Sequence, residues 1–141
     1  MASFNKFEAF TEHLAEKVHD LDLDTLKVLL SNDAPSAAND AVKADLTSEL
    51  GTANGYTAGG ADATNGTSRS GGTTSITGTD IVWTASGGSI GPFRYAVLYN
   101  DTPAAGVVDP LIGWWDYGSA ITLASGETFT VDFGSSLFTL A

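Results

Sequence analysis

The sequence predicts a mainly β domain, a β-sandwich or jelly-roll-like fold, with an N-terminal segment that is either helical or one strand of an extended hairpin. Three observations carry this. All sixteen glycines lie at Gly51 or later. From there on, short β-prone runs alternate with Gly, Pro and Asp turns, the rhythm of a sandwich rather than of βαβ units. Within those runs apolar residues recur with period two, as in Ile81, Trp83 and Ala85, so one face of each strand is buried. Ten of the seventeen acidic residues precede Gly51. The chain thus divides by composition into an acidic segment, 1–50, part of the same domain or an arm, and a glycine-rich β-sandwich, 51–141. At 141 residues, one core suffices without covalent staples.

Taken in order, Phe7, Phe10, Leu14 and Val18 recur at steps of three and four, with Glu8, Glu12 and Glu16 on another face. This is an amphipathic helix pattern with Ser3 or Asn5 as its cap, and a β-rich partner surface is the condition under which it becomes a strand instead. Residues 24–31 read as a strand closed by the turn residues Asn32 to Ser36. Residues 36–50 read as a short helix or a loop containing one helical turn. Residues 57–74 have almost no large apolar side chain and are expected as a long exposed loop, mobile or held by a partner. Strands follow over 73–76, 80–85, 93–100, 120–123, 128–133 and 137–140. The expected core is Trp83, Tyr95, Val97, Ile121, Leu123, Phe129, Val131 and Phe138, and Phe93, Tyr95, Val97 and Tyr99 are expected on one face.

Six basic against seventeen acidic residues leave a net charge of -11. That repels nucleic-acid backbones and anionic lipid surfaces, so neither is an expected partner. With no cysteine, disulfides and thiolate metal sites are excluded. No run of 18 apolar residues occurs, and MASFNKFEAF lacks the basic-then-apolar layout of a secretory signal, so synthesis in a cytosol is expected.

Several motifs invite chemistry. Residues 53–60, ANGYTAGG, are rich enough in glycine for a phosphate cradle, but no lysine follows Gly60 anywhere in the chain. A phosphate loop needs that lysine, so the stretch reads as a turn with Asn54-Gly55 at positive φ. Asp20-Leu-Asp-Leu-Asp24 starts like a calcium loop yet lacks its glycine and closing glutamate, and the alternation instead predicts one wet and one buried face. His13 and His19 are six residues apart, the wrong spacing for a helical zinc pair, and are expected to be solvated. No Gly-x-Ser-x-Gly elbow accompanies the serines. No catalytic, cofactor or metal site is therefore expected. Trp114, Trp115 and Tyr117 concentrate three rings in four positions, fit for core, for an interface or for stacking on sugar. Alternation places Trp115 and Tyr117 opposite Trp114.

The order of segments is distinctive: Val18-His19-Asp20-Leu21, then DTLKVLLSNDAP (24–35), ANGYTAGG (53–60), DIVWTASGGSIGPFRYAVLYNDT (80–102) and PLIGWWDYGSAITLASGETFTVDF (110–133). This series resembles a family of small virion proteins encoded near the capsid genes of tailed bacteriophages, over almost the whole chain. The resemblance implies a non-enzymatic cement, or decoration, protein on the outer capsid surface. Its partner would be the major capsid protein, and a homo-oligomer, dimer or trimer, would suit capsid symmetry. Phe4, Phe7 and Phe10, the 57–74 loop, and Trp114, Trp115 and Tyr117 are the expected contact regions. A tail or neck subunit is the alternative within the virion, and a carbohydrate-binding β-sandwich module the alternative outside it.

Overall fold

Two long apolar runs, DIVWTASGGSIGPFRYAVLYN and PLIGWWDYGSAITL, supply the framework of the fold. The computed structural model describes residues 2–104 and 106–141. It is mainly β, with strands β1 (Phe4–Lys6), β2 (Leu26–Ser31), β3 (Ala61–Asp62), β4 (Gly66–Ser70), β5 (Thr73–Thr77), β6 (Ile81–Thr84), β7 (Ile90–Asn100), β8 (Leu111–Leu123), β9 (Thr128–Val131) and β10 (Phe138–Leu140). One α-helix, α1 (Ala9–Ala15), lies between β1 and β2. All pairings are antiparallel and form a five-stranded sheet β1-β8-β7-β2-β3, a three-stranded sheet β10-β5-β4 and a two-stranded sheet β6-β9.

The five-stranded sheet is buried on both faces. On one face Leu26, Val28 and Leu30 of β2, Ala96 and Leu98 of β7 and Ile112 and Trp115 of β8 meet Ile76, Ile81, Trp83, Val131, Phe133 and Leu137 from the smaller sheets and their connections. This sandwich-like layer is the main core. On the other face Leu29, Tyr95, Val97, Tyr99 and Leu111 pack with Phe7, flanked by Leu46 and Trp114. Residues 32–50 cover that face, with bridges Ser31↔Glu49 and Val42↔Pro110 and a 3-10 turn at Lys43–Asp45. The single helical turn expected there is this one.

Several expectations change in detail. The compositional break at residue 50 is not a structural boundary, because β2 lies inside the sheet with β7 on one side and β3 on the other. A β-strand in mid-sheet satisfies its backbone on both edges and cannot be detached as an arm. The N-terminal segment is strand and helix in succession. Phe7 marks the break: it turns into the second core while Phe10 enters the main core. Neither Ser3 nor Asn5 caps the helix, whose first residue follows Glu8 with no side-chain cap. The helix stops where Val18 N–H donates to the His13 carbonyl (2.9 Å) and Lys17 N–H to that of Leu14 (3.3 Å), with Lys17 at φ 64°. That is a Schellman ending with lysine in the place glycine prefers.

Phe93 does not share a face with Tyr95, Val97 and Tyr99. A register irregularity between Phe93, opposite Ile121, and Tyr95, opposite Asp116, interrupts the side-chain alternation and turns Phe93 into the main core. Residues 57–74 are not a long loop: they carry β3, β4 and the start of β5, and Ser68 to Gly72 form an exposed hairpin end. A glycine-, serine- and threonine-rich stretch can pair as an antiparallel ladder without filling a core. Of the expected core, Trp83, Tyr95, Val97, Leu123 and Val131 are buried, and Ile121, Phe129 and Phe138 are half-buried against it.

Candidate functional site

The aromatic side chains expected at an interface are mostly spent on packing. Phe7 and Phe10 are 0% and 1% exposed, and Trp115 is 6% exposed. Phe4 is half-buried, stacked on Phe138 with centroids 5.0 Å apart. It lies over Gly113, where a Cβ would approach the Phe4 ring to 2.2 Å. Trp114 is half-buried against Phe7 (4.6 Å) and Tyr117 against Phe129 (5.0 Å). The predicted alternation of the three rings is realised, with Trp114 beside the second core and Trp115 and Tyr117 beside the main one. In this conformation Phe7, Phe10 and Trp115 have no surface left to offer a partner, because burying them stabilises the domain itself. None of the three Trp, four Tyr and seven Phe side chains is exposed.

The glycine motif at 53–60 is a built turn. Asn54 and Gly55 have φ of 54° and 105°, and Ala53 and Tyr56 exchange two 3.0 Å backbone hydrogen bonds, a two-residue hairpin. Beyond it, Tyr56 Oη accepts from Leu30 N–H (3.0 Å) and donates to Glu49 Oε1 (3.2 Å), which also accepts from Gly59 N–H. Tyr99 Oη donates to the Gly59 carbonyl at 2.5 Å. The Tyr56 hydroxyl is pushed above its ordinary pKa, chiefly by burial. This network locks the motif onto β2 and β7.

The residues that converge on one place come from elsewhere. Asp20 to Asp24 form a turn in which Asp20 Oδ1 accepts from the N–H groups of Asp22 (3.2 Å) and Leu23 (3.1 Å), and Asp24 Oδ2 accepts from Asp20 N–H (2.8 Å). Asp22 Oδ1 accepts from Thr67 N–H and its hydroxyl. The expected alternation fails here: Leu21 is buried, but Leu23 is 81% exposed, since a turn has no period of two. Two asparagines hold this turn against the sheet. Asn65 accepts from Leu26 N–H (3.0 Å) and donates to the Leu21 and Asp24 carbonyls (both 2.9 Å). Asn100, fully buried, accepts from Thr102 N–H (2.9 Å) and donates to Asp24 Oδ2 (2.6 Å) and His19 Nδ1 (3.1 Å).

His19 is therefore not solvated, as its sequence context suggested, but 7% exposed. Burial, with His13 adding to it and Asp24 opposing, lowers its pKa from 6.5 to about 4. Beside it lies a cavity of roughly 370 Å³ whose walls include Leu14, Leu21, Ile76 and Leu140, with Lys17, Asp20 and Asp22 among the polar lining. Sequence reasoning missed this cluster because its members are far apart in the chain. His19 and Asn100 are separated by 81 positions, and Asn100 reads only as the last residue of the expected 93–100 strand. Among the described residues no three His, Asp or Glu side chains are grouped to hold a metal ion.

No protein-family model matches this chain, and no curated protein or solved structure is significantly similar to it.

Proposed function

We propose that this protein is a capsid cement, or decoration, protein that binds the outside of a tailed-phage head and joins neighbouring major capsid subunits. The observation that carries the reading is the distribution of side chains: every described aromatic ring is buried or half-buried, leaving a largely polar surface with a net charge of -11 on the chain. Such a surface keeps an unassembled subunit soluble and is repelled by DNA. The sandwich-like fold and the order of sequence segments support the same reading. Docking would be polar and multipoint, so each copy would resist internal pressure through several modest contacts broken only together.

The surfaces available for contact are the Ser68–Gly72 hairpin end and the exposed Leu23, Val82 and Val108, at 81%, 57% and 77% exposure. They replace the buried Phe7, Phe10 and Trp115 as contact candidates. Stacking on a sugar needs exposed rings, and the half-buried state of Trp114 and Tyr117 argues against that alternative. The test is cosedimentation of the purified chain with heads that lack it. Saturable binding, weakened by salt and by a Leu23→Asp, Arg69→Glu double variant, supports the proposal. Failure to bind heads while binding tails would move the protein to the tail or neck.

A further inference from the structure

Among the described residues, two buried side-chain polar atoms have no hydrogen-bond partner, His13 Nδ1 and His19 Nε2. They belong to neighbouring rings whose centroids are 6.2 Å apart. Buried polar groups without partners are uncommon in native structures and ask for an explanation.

The hydrogen bonds of Asn100 fix the tautomer of His19. Its Oδ1 accepts from the backbone N–H of Thr102, so its Nδ2 is the donor to Asp24 Oδ2 and to His19 Nδ1. His19 Nδ1 must then be an acceptor, and the ring proton sits on Nε2. The same tautomer disfavours a metal on Nε2, since a metal-bound imidazole donates from its other nitrogen and Asn100 offers no acceptor there.

Protonating His19 makes Nδ1 a donor facing a donor. Asn100 cannot relieve this by turning its amide over, because that would set its NH2 group against Thr102 N–H and its carbonyl against Asp24. A second proton on His13 would also place two cations on rings 6.2 Å apart. The charged groups around the pair are few. On and after α1 they are His13 and Lys17, with Glu12 and Glu16 exposed; in the following turn, Asp20, Asp22 and Asp24; beyond β7, Asp101, engaged with Lys27 at 3.1 Å. The nearby cavity walls from β4, β5 and β10 are Thr67, Thr74, Ile76 and Leu140, none of them charged. Asp24 is the carboxylate that favours the charged ring, and it acts against burial and His13 together.

We infer that His13, His19, Asn100 and Asp24 form an acid-sensitive latch that releases α1 and the turn after it while the two-faced sheet stays folded. Besides the latch, α1 is held by Phe10, by the half-buried Leu14 and by its flanks. The helix has seven residues and one fully buried side chain, Phe10, whose ring meets that of His19 edge-on at 5.2 Å. Isolated helices of this length are unstable in water, so α1 depends on its docking. Its flanks are tied by Glu8 N–H to the Ala37 carbonyl and Ala104 N–H to that of Val18, both 2.9 Å. Elements held by so few contacts are the ones that open locally. The inference concerns the fold itself and stands independently of the virion role.

The test is amide hydrogen exchange by NMR on the full chain between pH 7 and pH 4, expressed as protection factors. Protection over residues 9–19 should fall at least about tenfold as the pH drops, while residues 96–99 and 111–115 stay more protected than 9–19 at pH 4. His13→Gln removes one opposing charge and should move the midpoint of this change upward. His19→Gln should abolish it, with α1 equally protected or equally loosened at both ends of the range. Strands no better protected than 9–19 at pH 4, no change over 9–19, or the same midpoint in the His13→Gln protein would each overturn the latch.

Discussion

Replacing Gly60 by alanine tests why the 53–60 motif carries its glycines. Gly60 has φ of +78°, and a Cβ there would lie 1.8 Å from the Val28 carbonyl oxygen, 2.5 Å from its carbon and 2.8 Å from Leu29 Cα. All three are backbone atoms of β2, in the interior of the five-stranded sheet, so no side chain can swing aside. A non-glycine residue in left-handed conformation costs about 1–2 kcal/mol before any clash. Relieving the clash must push the chain off β2 and loosen the pairing of Lys27 and Val28 with Asp62 and Ala61. We expect a loss of at least about 3 kcal/mol, the range of backbone strain combined with lost packing. Two controls separate the contributions. Gly71→Ala has φ of +59° with nothing within 4 Å, and should cost about 1 kcal/mol; Gly72→Ala meets open space without a positive φ and should be within about 0.5 kcal/mol of the parent. Urea unfolding of the three variants at pH 7, compared at constant m-value, measures the series. A Gly60→Ala protein within about 0.5 kcal/mol of the parent, or a reversed order, would refute the reasoning.

Other consequences are equally direct. His19 is held neutral in the folded state, with its pKa down at about 4 from 6.5, so the unfolded chain binds the proton more tightly. The corresponding stability is fully present above pH 6.5 and is lost as the pH falls through 4, at most about 3 kcal/mol, because local opening of α1 relieves it first. Urea titrations at pH 7 and 4 should show the drop, with a shallower one in His19→Gln. Phe10→Ala removes a fully buried ring that joins α1 to Phe138 and should cost about 3–5 kcal/mol, read as a lowered thermal midpoint. Leu23→Ser, on a side chain 81% exposed, should leave stability within about 0.5 kcal/mol of the parent yet lower the affinity for heads.

What could be seen in the sequence follows the range of the interactions involved. Period-two alternation announced β6 and most of β7, because one face of each is buried and the pattern is local. Asn54-Gly55 announced a turn because its φ values are a property of two residues. The bulge that turns Phe93 inward had no such signal, being fixed by pairing with β8. The 57–74 stretch misled because its strands are held by backbone ladders, which leave little trace in side-chain character. For the site the limits are sharper. Phe7, Phe10 and Trp115 look alike whether they face a partner or a core, and only the fold decides. His19 looked like a polar residue in an acidic segment; its burial depends on Asn100, brought close by the β2–β7 pairing.

The proposal that this chain covers a phage head is tested most directly by its copy number. Mass-spectrometric stoichiometry against the major capsid protein in purified particles should give a ratio of about one half or about one, as symmetry requires of a shell-covering protein. A ratio below about a tenth would contradict the cement reading and place the chain at a tail or neck position.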